Sequence, residues 1–228
     1  MSGMADLKAK TVTDAVYERL KTDIMSGVYR PGQRLMETEV AEKLEVSRTP
    51  VRDAMIRLEQ DGLTTIKPHR GIYVRKLSPK DVQDYYQLRA VLEGLGAKLA
   101  TQNATKEDHD KLQHMLEDMH NILESHKNAK HFKEMATINN QFHQLIFDIA
   151  DNHVLAQTRE TLANTIALVR STSWQNQQRI FETWQEHQEI VEAIVSKDAQ
   201  LAQKKMEEHI YNAWRSAQSK LDENRSTS

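Results

Sequence analysis

The chain contains no cysteine among its 228 residues and has little glycine or proline. Without cysteine there are no disulfide bonds, thiolate metal ligands or cysteine nucleophiles, so folding depends on a packed core in a reducing compartment. No apolar stretch approaches the ~20 residues that span a bilayer, and the residues after Met1 do not resemble a signal peptide. We therefore expect a cytoplasmic protein that has no membrane partner.

Glycine and proline are unevenly distributed along the chain. All seven glycines and all four prolines lie at or before Gly96, and the remaining 132 residues contain neither. Those residues carry apolar side chains at three- and four-residue spacing, which is typical of consecutive helices joined by short polar loops. We therefore predict an all-helical bundle for this part of the chain. Its later helices are expected to begin near Thr105, Asn128, Asn152, Gln177 and Asp198.

The boundary between the two parts is predicted near residues 76–78. Ser78 offers a helix N-cap, Pro79 suits the first turn, and Asp81 lies at the third position, so a long helix should run to about Gln102. The expected division is a flexible terminus over residues 1–9, a first domain over 10–77, a helical domain over 78–222 and a flexible tail over 223–228.

The first domain has the patterns of a small helical module with a β-hairpin. Helices are predicted over residues 13–26 and 37–44, and a third begins after Ser47. Beyond Gly62, β-branched and aromatic residues on both sides of Lys67–Gly71 predict a hairpin over residues 63–77. Residues 1–76 hold 14 Lys and Arg against 11 Asp and Glu, an excess that favours DNA binding only if it is clustered on one face.

The third helix is predicted to cluster basic side chains at its start. Ser47 is expected to cap this helix, and Val46 and Val51 form a hydrophobic staple across the cap. The inward stripe consists of Val51, Ala54, Met55 and Leu58. The outer face of the first turns carries Arg48, Thr49 and Arg52. Such a face is either a solvated surface or a recognition surface that contacts guanine edges and phosphates in the major groove, where Ser47 is a further predicted DNA contact.

The tip of the predicted hairpin is a second candidate contact with DNA. Arg70 stands next to Gly71, and a glycine leaves room for an arginine to enter a narrow minor groove. Lys67 and His69 are placed to contact phosphates. A hairpin of this kind, following a recognition helix, is the wing of a winged helix-turn-helix.

Three motifs resemble those of the GntR family of bacterial regulators. They are Gly27-Val-Tyr-Arg-Pro-Gly-Gln-Arg-Leu35, Val46-Ser-Arg-Thr-Pro-Val-Arg-Asp-Ala54, and Leu58-Glu-Gln-Asp-Gly-Leu63 followed by Arg70-Gly71. The resemblance implies a winged helix-turn-helix that binds palindromic operator DNA as a homodimer, with Arg34 among the DNA-binding residues. Thr38 departs from the pattern, because some relatives carry a DNA-reading arginine there.

Four polar residues lie on apolar stripes of the predicted C-terminal helices. Asn139 and His143 are one helical turn apart, so their side chains can point to the same place. His187 and His209 each lie eleven residues from Asp198 in the predicted turn, so they stand level on antiparallel helices. Each histidine alone could be a hydrogen-bonded core residue. Together with Asn139, the three histidines would suit zinc, nickel, manganese or iron.

The same region resembles the FCD ligand-binding domain of the FadR-like subgroup. The resemblance lies in Leu88-Arg-Ala-Val-Leu-Glu93, Asn139-Asn-Gln-Phe-His143, and His187 followed by Asp198 and His209. It implies that Asn139, His143, His187 and His209 bind a divalent metal ion whose coordination is completed by a small carboxylate effector. Many relatives have aspartate where Asn139 stands, and a neutral amide donates less to a cation.

Two arginines are candidates for holding the effector. Arg89 could pair with a carboxylate through two hydrogen bonds, as the resemblance suggests, or form an ion pair with Glu93 one turn along its helix. Arg170 is a further candidate for lining the same cavity, with a structural or exposed position as the alternative.

These patterns predict a transcription repressor or activator controlled by a small molecule, not an enzyme. Effector binding would change DNA affinity by favouring one arrangement of two winged domains. One alternative is a metalloenzyme built on the three histidines, but the paired Glu-x-x-His motifs of di-iron bundles are missing. Another alternative is a metal-free histidine core that stabilises a dimer.

Overall fold

A computed structural model of the protein describes residues 11–125, 129–159, 162 and 177–226. Contacts within the chain divide it into two compact units, Met1–Leu77 and Ser78–Ser228. The predicted mainly α fold is confirmed, with a small sheet in the first unit and helices in the second. Among the described residues, no helix combines the length and apolar character needed to cross a membrane.

The described part of the N-terminal unit is a winged helix-turn-helix. Its elements are α1 (Val12–Met25), β1 (Arg34–Leu35), α2 (Glu37–Lys43), α3 (Arg48–Gln60), β2 (Thr64–Lys67) and β3 (Gly71–Val74). The strands form an antiparallel sheet in the order β1-β3-β2, with Ile72 of β3 opposite both Leu35 and Ile66. The predicted hairpin is therefore present. Strand β1 was not predicted, because two residues are too few to show an alternating pattern.

The core of this unit lies between the apolar faces of α1 and α3. The predicted inward stripe of α3 is confirmed, since Val51, Ala54, Met55 and Leu58 are buried. On α1, the buried residues include Val16, Leu20 and Ile24. A polar contact joins the same two elements at their edge, where the Tyr17 hydroxyl donates to Asp61 and the Arg57 guanidinium lies 4.2 Å from the centre of the Tyr17 ring. These contacts hold the C-terminal end of α3 against α1.

The start of α3 differs from the prediction in its cap. Ser47 is the N-cap residue, but its side chain accepts no capping hydrogen bond. The third helical position is Pro50, which has no N–H to donate to the cap. The predicted cap of the next helix does form, because the Ser78 side chain accepts from the Asp81 N–H and Asp81 accepts from the Ser78 N–H.

The C-terminal unit is a helical bundle in the residues described. Its helices are α4 (Pro79–Asn103), α5 (Lys106–Glu124), α6 (Ala129–Ala150), α7 (described over residues 153–159), α8 (Gln177–Val195) and α9 (Ala199–Ser226). Helices α5, α7 and α9 begin one residue after Thr105, Asn152 and Asp198, as predicted, whereas the predicted start near Asn128 lies outside the described residues. Helix α9 continues to Ser226, into the segment 223–228 expected to be a tail, because no glycine or proline interrupts the helix there.

Helix α4 packs against α6, α8 and α9, while α5 packs against α6 and α8. Gly94 of α4 lies close to a side chain of α9, and a Cβ at Gly96 would make an ordinary van der Waals contact with α6. A Cβ atom at Gly94 would lie 2.7 Å from Cγ of Glu207, and one at Gly96 would lie 3.4 Å from the Phe147 ring. The packing gathers polar side chains from four helices in the interior of the bundle.

We expect Leu58→Ala to destabilise the N-terminal unit by about 2–5 kcal/mol, because it leaves a cavity beneath α3. Leu58 is fully buried, whereas Ile56 on the same helix is 40% exposed. Ile56→Ala removes a side chain of the same size and should cost less than about 0.5 kcal/mol. Calorimetry of the full-length variants measures both effects, and equal losses would contradict the described packing of α3.

Candidate metal site and DNA interface

Three histidines from three helices meet in the core of the C-terminal unit. His143 lies on α6, His187 on α8 and His209 on α9, and each is at most 3% exposed. One ring nitrogen from each histidine lies within 4.8 Å of the other two. The structure therefore brings together the three histidines that the sequence places on apolar stripes.

The turn between α8 and α9 sets two of these rings at the same level. Asp198 caps α9, since its Oδ1 accepts from the Leu201 N–H at 3.0 Å. The helices run antiparallel from this turn, and the ring centres of His187 and His209 lie 4.7 Å apart. Equal spacing from the turn thus predicts the meeting of these rings correctly.

Glu93 on α4 orients the His143 ring. Its Oε2 lies 2.7 Å from His143 Nδ1, and its Oε1 accepts from Arg89 Nε at 3.0 Å. Burial alone would raise the pKa of Glu93, but His143, Arg89 and Arg159 together hold it well below the usual value. Burial lowers the pKa of His143 to about 3, so the ring is neutral beside an ionised carboxylate.

Glu186 on α8 orients the His209 ring in the same way. Its Oε2 lies 2.6 Å from His209 Nδ1, and Arg179 donates to both carboxylate oxygens at 2.7 and 2.8 Å. Burial raises the pKa of Glu186, but the hydrogen bonds from His209 and Arg179 lower it to about 2. Burial also lowers the pKa of His209. A second neutral ring therefore donates to an ionised carboxylate.

These hydrogen bonds make the two neutral rings present lone pairs to each other. An ionised carboxylate can only accept, so each Nδ1 carries the proton and each Nε2 is an acceptor. The Nε2 atoms of His143 and His209 lie 3.3 Å apart. Two facing acceptors repel unless they share a cation. Nitrogen ligands at ~2.0–2.1 Å from a tetrahedral metal ion lie about 3.3 Å apart, so the observed spacing fits a metal site.

The Asn139 side chain is buried beside this group without a visible role in the core. The residue is 1% exposed, and neither its amide oxygen nor its amide nitrogen has a hydrogen-bond partner within the described part of the chain. A buried amide without partners costs about 1–3 kcal/mol. The amide oxygen is a suitable ligand for a divalent cation, although it brings no negative charge.

A cavity of about 30 Å³ adjoins the candidate site. The residues that line it are Arg89, Asn139, Arg179, Thr183, His209, Ala213 and Ser216. These described lining residues include two arginines and no acid, which favours an anion. Arg89 lines the cavity and also forms the ion pair with Glu93, so its two predicted roles are compatible. Arg170 lies outside the described residues.

Sequence patterns did not reveal Arg179, Thr183 and Glu186 as parts of this site. The only signal in the sequence is that Arg179 and Thr183 precede His187 on α8 at intervals of four residues. Polar residues at that spacing on a helix with an apolar stripe indicate a polar patch facing the core. Their partners lie on other helices, and those contacts require the fold.

The predicted DNA-contacting residues are exposed on the N-terminal unit. Ser47, Arg48, Thr49 and Arg52 are exposed at the start of α3, and Lys67, His69 and Arg70 are exposed at the hairpin tip. Gly71 has a φ of 104°, and a Cβ there would lie 3.1 Å from Arg34 Nε. Glycine at this position therefore lets the Arg34 guanidinium lie against the base of the wing.

We expect Asn139→Leu to raise the free energy of unfolding of chelator-treated protein by about 1–3 kcal/mol, because it removes a buried amide without partners. Gln141→Leu alters an exposed residue on the same helix and should change stability by less than about 0.5 kcal/mol. Denaturant titration in the presence of a chelator measures both values. A loss of stability in Asn139→Leu would show that the amide is satisfied.

Comparisons with known proteins agree with this architecture. Residues 12–74 match the gntR family of bacterial regulatory proteins, and residues 84–212 match the FCD domain. Two solved structures share the fold: McbR/YncC of E. coli, with a TM-score of 0.70 and 24% identity, and a GntR regulator of Rhodococcus sp. RHA1, with a TM-score of 0.71 and 20% identity. They cover 89% and 91% of this chain, and 94% and 97% of their own.

Two relatives are similar over most of their length. The helix-turn-helix regulator YdhC of Bacillus subtilis (strain 168) is 31% identical over 193 residues, which are 85% of each chain. The transcriptional repressor RspR of Escherichia coli (strain K12) is 30% identical over 199 residues, covering 87% of this chain and 86% of its own. These families and relatives are transcription regulators, not enzymes. The chain therefore belongs to the GntR family of DNA-binding transcription regulators, and its C-terminal unit is an FCD domain.

Proposed function

We propose that this regulator binds operator DNA as a homodimer and that a small carboxylate effector, bound beside a divalent metal ion, controls its affinity for DNA. The proposed metal ligands are Asn139, His143, His187 and His209. One observation carries the proposal most directly: the Nε2 atoms of His143 and His209 lie 3.3 Å apart while each Nδ1 is held by a carboxylate.

The residues around the ligands support this use of the site. Glu93 and Glu186 hold two rings in the tautomer that leaves Nε2 free to ligate, and such outer carboxylates are typical of histidine metal sites. The donor set suits zinc, nickel, manganese or iron, and when bound the ion would supply positive charge that attracts an oxygen donor of the effector. All four proposed ligands are neutral, so that positive charge is not cancelled by the ligands themselves.

Arg89 is proposed to hold the carboxylate of the effector. The residue lines the cavity next to Asn139 and His209, and Glu93 fixes its Nε edge. Arg179 lines the same cavity and is fixed by Glu186. Two guanidinium groups held in place by glutamates favour an anion of small size.

On the N-terminal unit, α3 is proposed to enter the major groove and the wing to reach the minor groove. Ser47, Arg48, Thr49 and Arg52 would contact bases and phosphates, and Arg34, Lys67, His69, Arg70 and Gly71 would contact the backbone and minor groove. The relative RspR is a repressor, which supports repression as the direction of control here.

A metal-free histidine core is the alternative use of the same residues. It would leave the amide of Asn139 without a partner among the described residues, and it would leave the two acceptor nitrogens facing each other. Both features destabilise the folded protein, and no other interaction compensates for them among the described residues. They therefore favour the metal site.

The proposal is tested on untagged protein purified without chelator. We expect about one divalent ion per chain in the native protein and none in His187→Ala. At roughly 100 times the dissociation constant, metal or acid should raise the melting temperature of the native chain by roughly 5–10 °C. Carboxylic acids should also change the affinity for operator DNA, and His187→Ala should lose this response.

The control is His114→Ala, which removes an exposed histidine from α5 and should keep both the metal and the response. Native protein that lacks metal yet still responds to an acid would contradict the metal ligands and leave the effector to Arg89 and Arg179. DNA binding that no acid changes would contradict effector control.

A further inference from the structure

The arginines at the start of α3 are paired with a glutamate of α2. Glu37, the first residue of α2, accepts hydrogen bonds from Nε and Nη2 of Arg52 at 3.0 and 2.9 Å. Its Oε2 also lies 3.5 Å from Nη2 of Arg48. The sequence pattern of α2 does not indicate a role for Glu37, because its partners lie 11 and 15 residues away in the sequence.

The pairing occupies one edge of the Arg52 guanidinium and leaves another available. A guanidinium has five N–H donors, and Glu37 accepts one from Nε and one from Nη2. The end formed by Nη1 and the second Nη2–H still presents two parallel donors, on a side chain that is 57% exposed. Two parallel donors match the O6 and N7 acceptors of guanine in the major groove. The contact therefore restricts the direction of Arg52 without blocking its fork.

Glu37 also changes the charge of the surface that faces DNA. A depression of about 270 Å³ is lined by Arg34, Arg48, Arg52 and Glu37 together with Leu35, Met36, Thr38, Gly71 and Ile72. Hydrogen bonds from Arg52 lower the pKa of Glu37, so one negative charge stands among three positive ones at neutral pH. Attraction between basic residues and phosphates supplies most of the non-specific affinity of a protein for DNA. A carboxylate among these arginines weakens that attraction.

We propose that Glu37 is a positioning residue for sequence recognition. It directs the free fork of Arg52 towards a guanine and competes with phosphates for Arg48 and Arg52. This inference rests on the proposed contact of Arg52 with DNA. Its consequence is that Glu37 increases the ratio of specific to non-specific affinity while lowering affinity for DNA of unrelated sequence.

The test uses the full chain and duplex DNA. A preferred site is first selected from a random duplex library with the native protein, and affinities for that site and for a scrambled duplex are then measured at several salt concentrations. We expect Glu37→Gln to lower the ratio of specific to non-specific affinity about tenfold, to lose the preference at one G·C pair and to bind the scrambled duplex more tightly.

Two further variants separate position from charge. Glu39→Gln makes the same change of charge at an exposed site on the same helix and should alter the ratio less than about twofold. Glu37→Asp keeps the charge but shortens the side chain, and it should lose the preference for the same G·C pair. Circular dichroism and thermal unfolding establish that each variant is folded as the native protein is.

A ratio in Glu37→Gln equal to that of Glu39→Gln would overturn the positioning role. Arg52→Ala separates a failure of the proposed Arg52 contact with DNA from a failure of the proposed role of Glu37. If Arg52→Ala keeps the preference at that base pair, the proposed contact of Arg52 with DNA is wrong, and the role of Glu37 is wrong with it. If Arg52→Ala loses the preference while Glu37→Gln keeps it, only the role of Glu37 is wrong.

Discussion

The repulsion between two neutral imidazoles is the constraint around which the C-terminal unit is organised. His143 and His209 face each other through acceptor nitrogens because the Nδ1–H group of each ring donates a hydrogen bond to a carboxylate, that of Glu93 or Glu186. Buried carboxylates of this kind need cations of their own, which Arg89 and Arg179 supply from α4 and α8. The packing of α4 against α6, α8 and α9 brings these helices together. The proposed metal and effector sites thus depend on the same contacts as the packing of these helices.

The sequence predicted the ligand candidates better than the residues that support them. Asn139 and His143 share a helix face, and His187 and His209 stand at equal distances from a turn, so helix geometry predicts each of these two pairs. The meeting of His143 with the other two histidines depends on how the helices pack. Glu186 could not be assigned in this way, because its partner lies on another helix. The neutral state of the His143 and His209 rings also depends on burial, which no sequence pattern specifies.

The N-terminal unit shows the same limit on a smaller scale. The inward stripe of α3, the hairpin and its basic tip follow from periodicity and turn chemistry. The absence of a side-chain cap at Ser47 could have been predicted from the sequence, because Pro50 at the third helical position has no N–H to donate. The pairing of Glu37 with Arg52 could not be predicted from the sequence, because it joins two helices whose relative placement only the fold determines. Local patterns therefore identify the surfaces, and tertiary contacts set the direction of the side chains on them.

The central claim is that the facing nitrogens of His143 and His209 share a metal ion. X-ray diffraction data collected above and below the absorption edge of the bound metal, from crystals of protein purified without chelator, test it most directly. We expect one anomalous peak per chain, within bonding distance of both Nε2 atoms and of the Asn139 amide. Density without an anomalous signal between these rings, in protein that binds its effector, would contradict the claim.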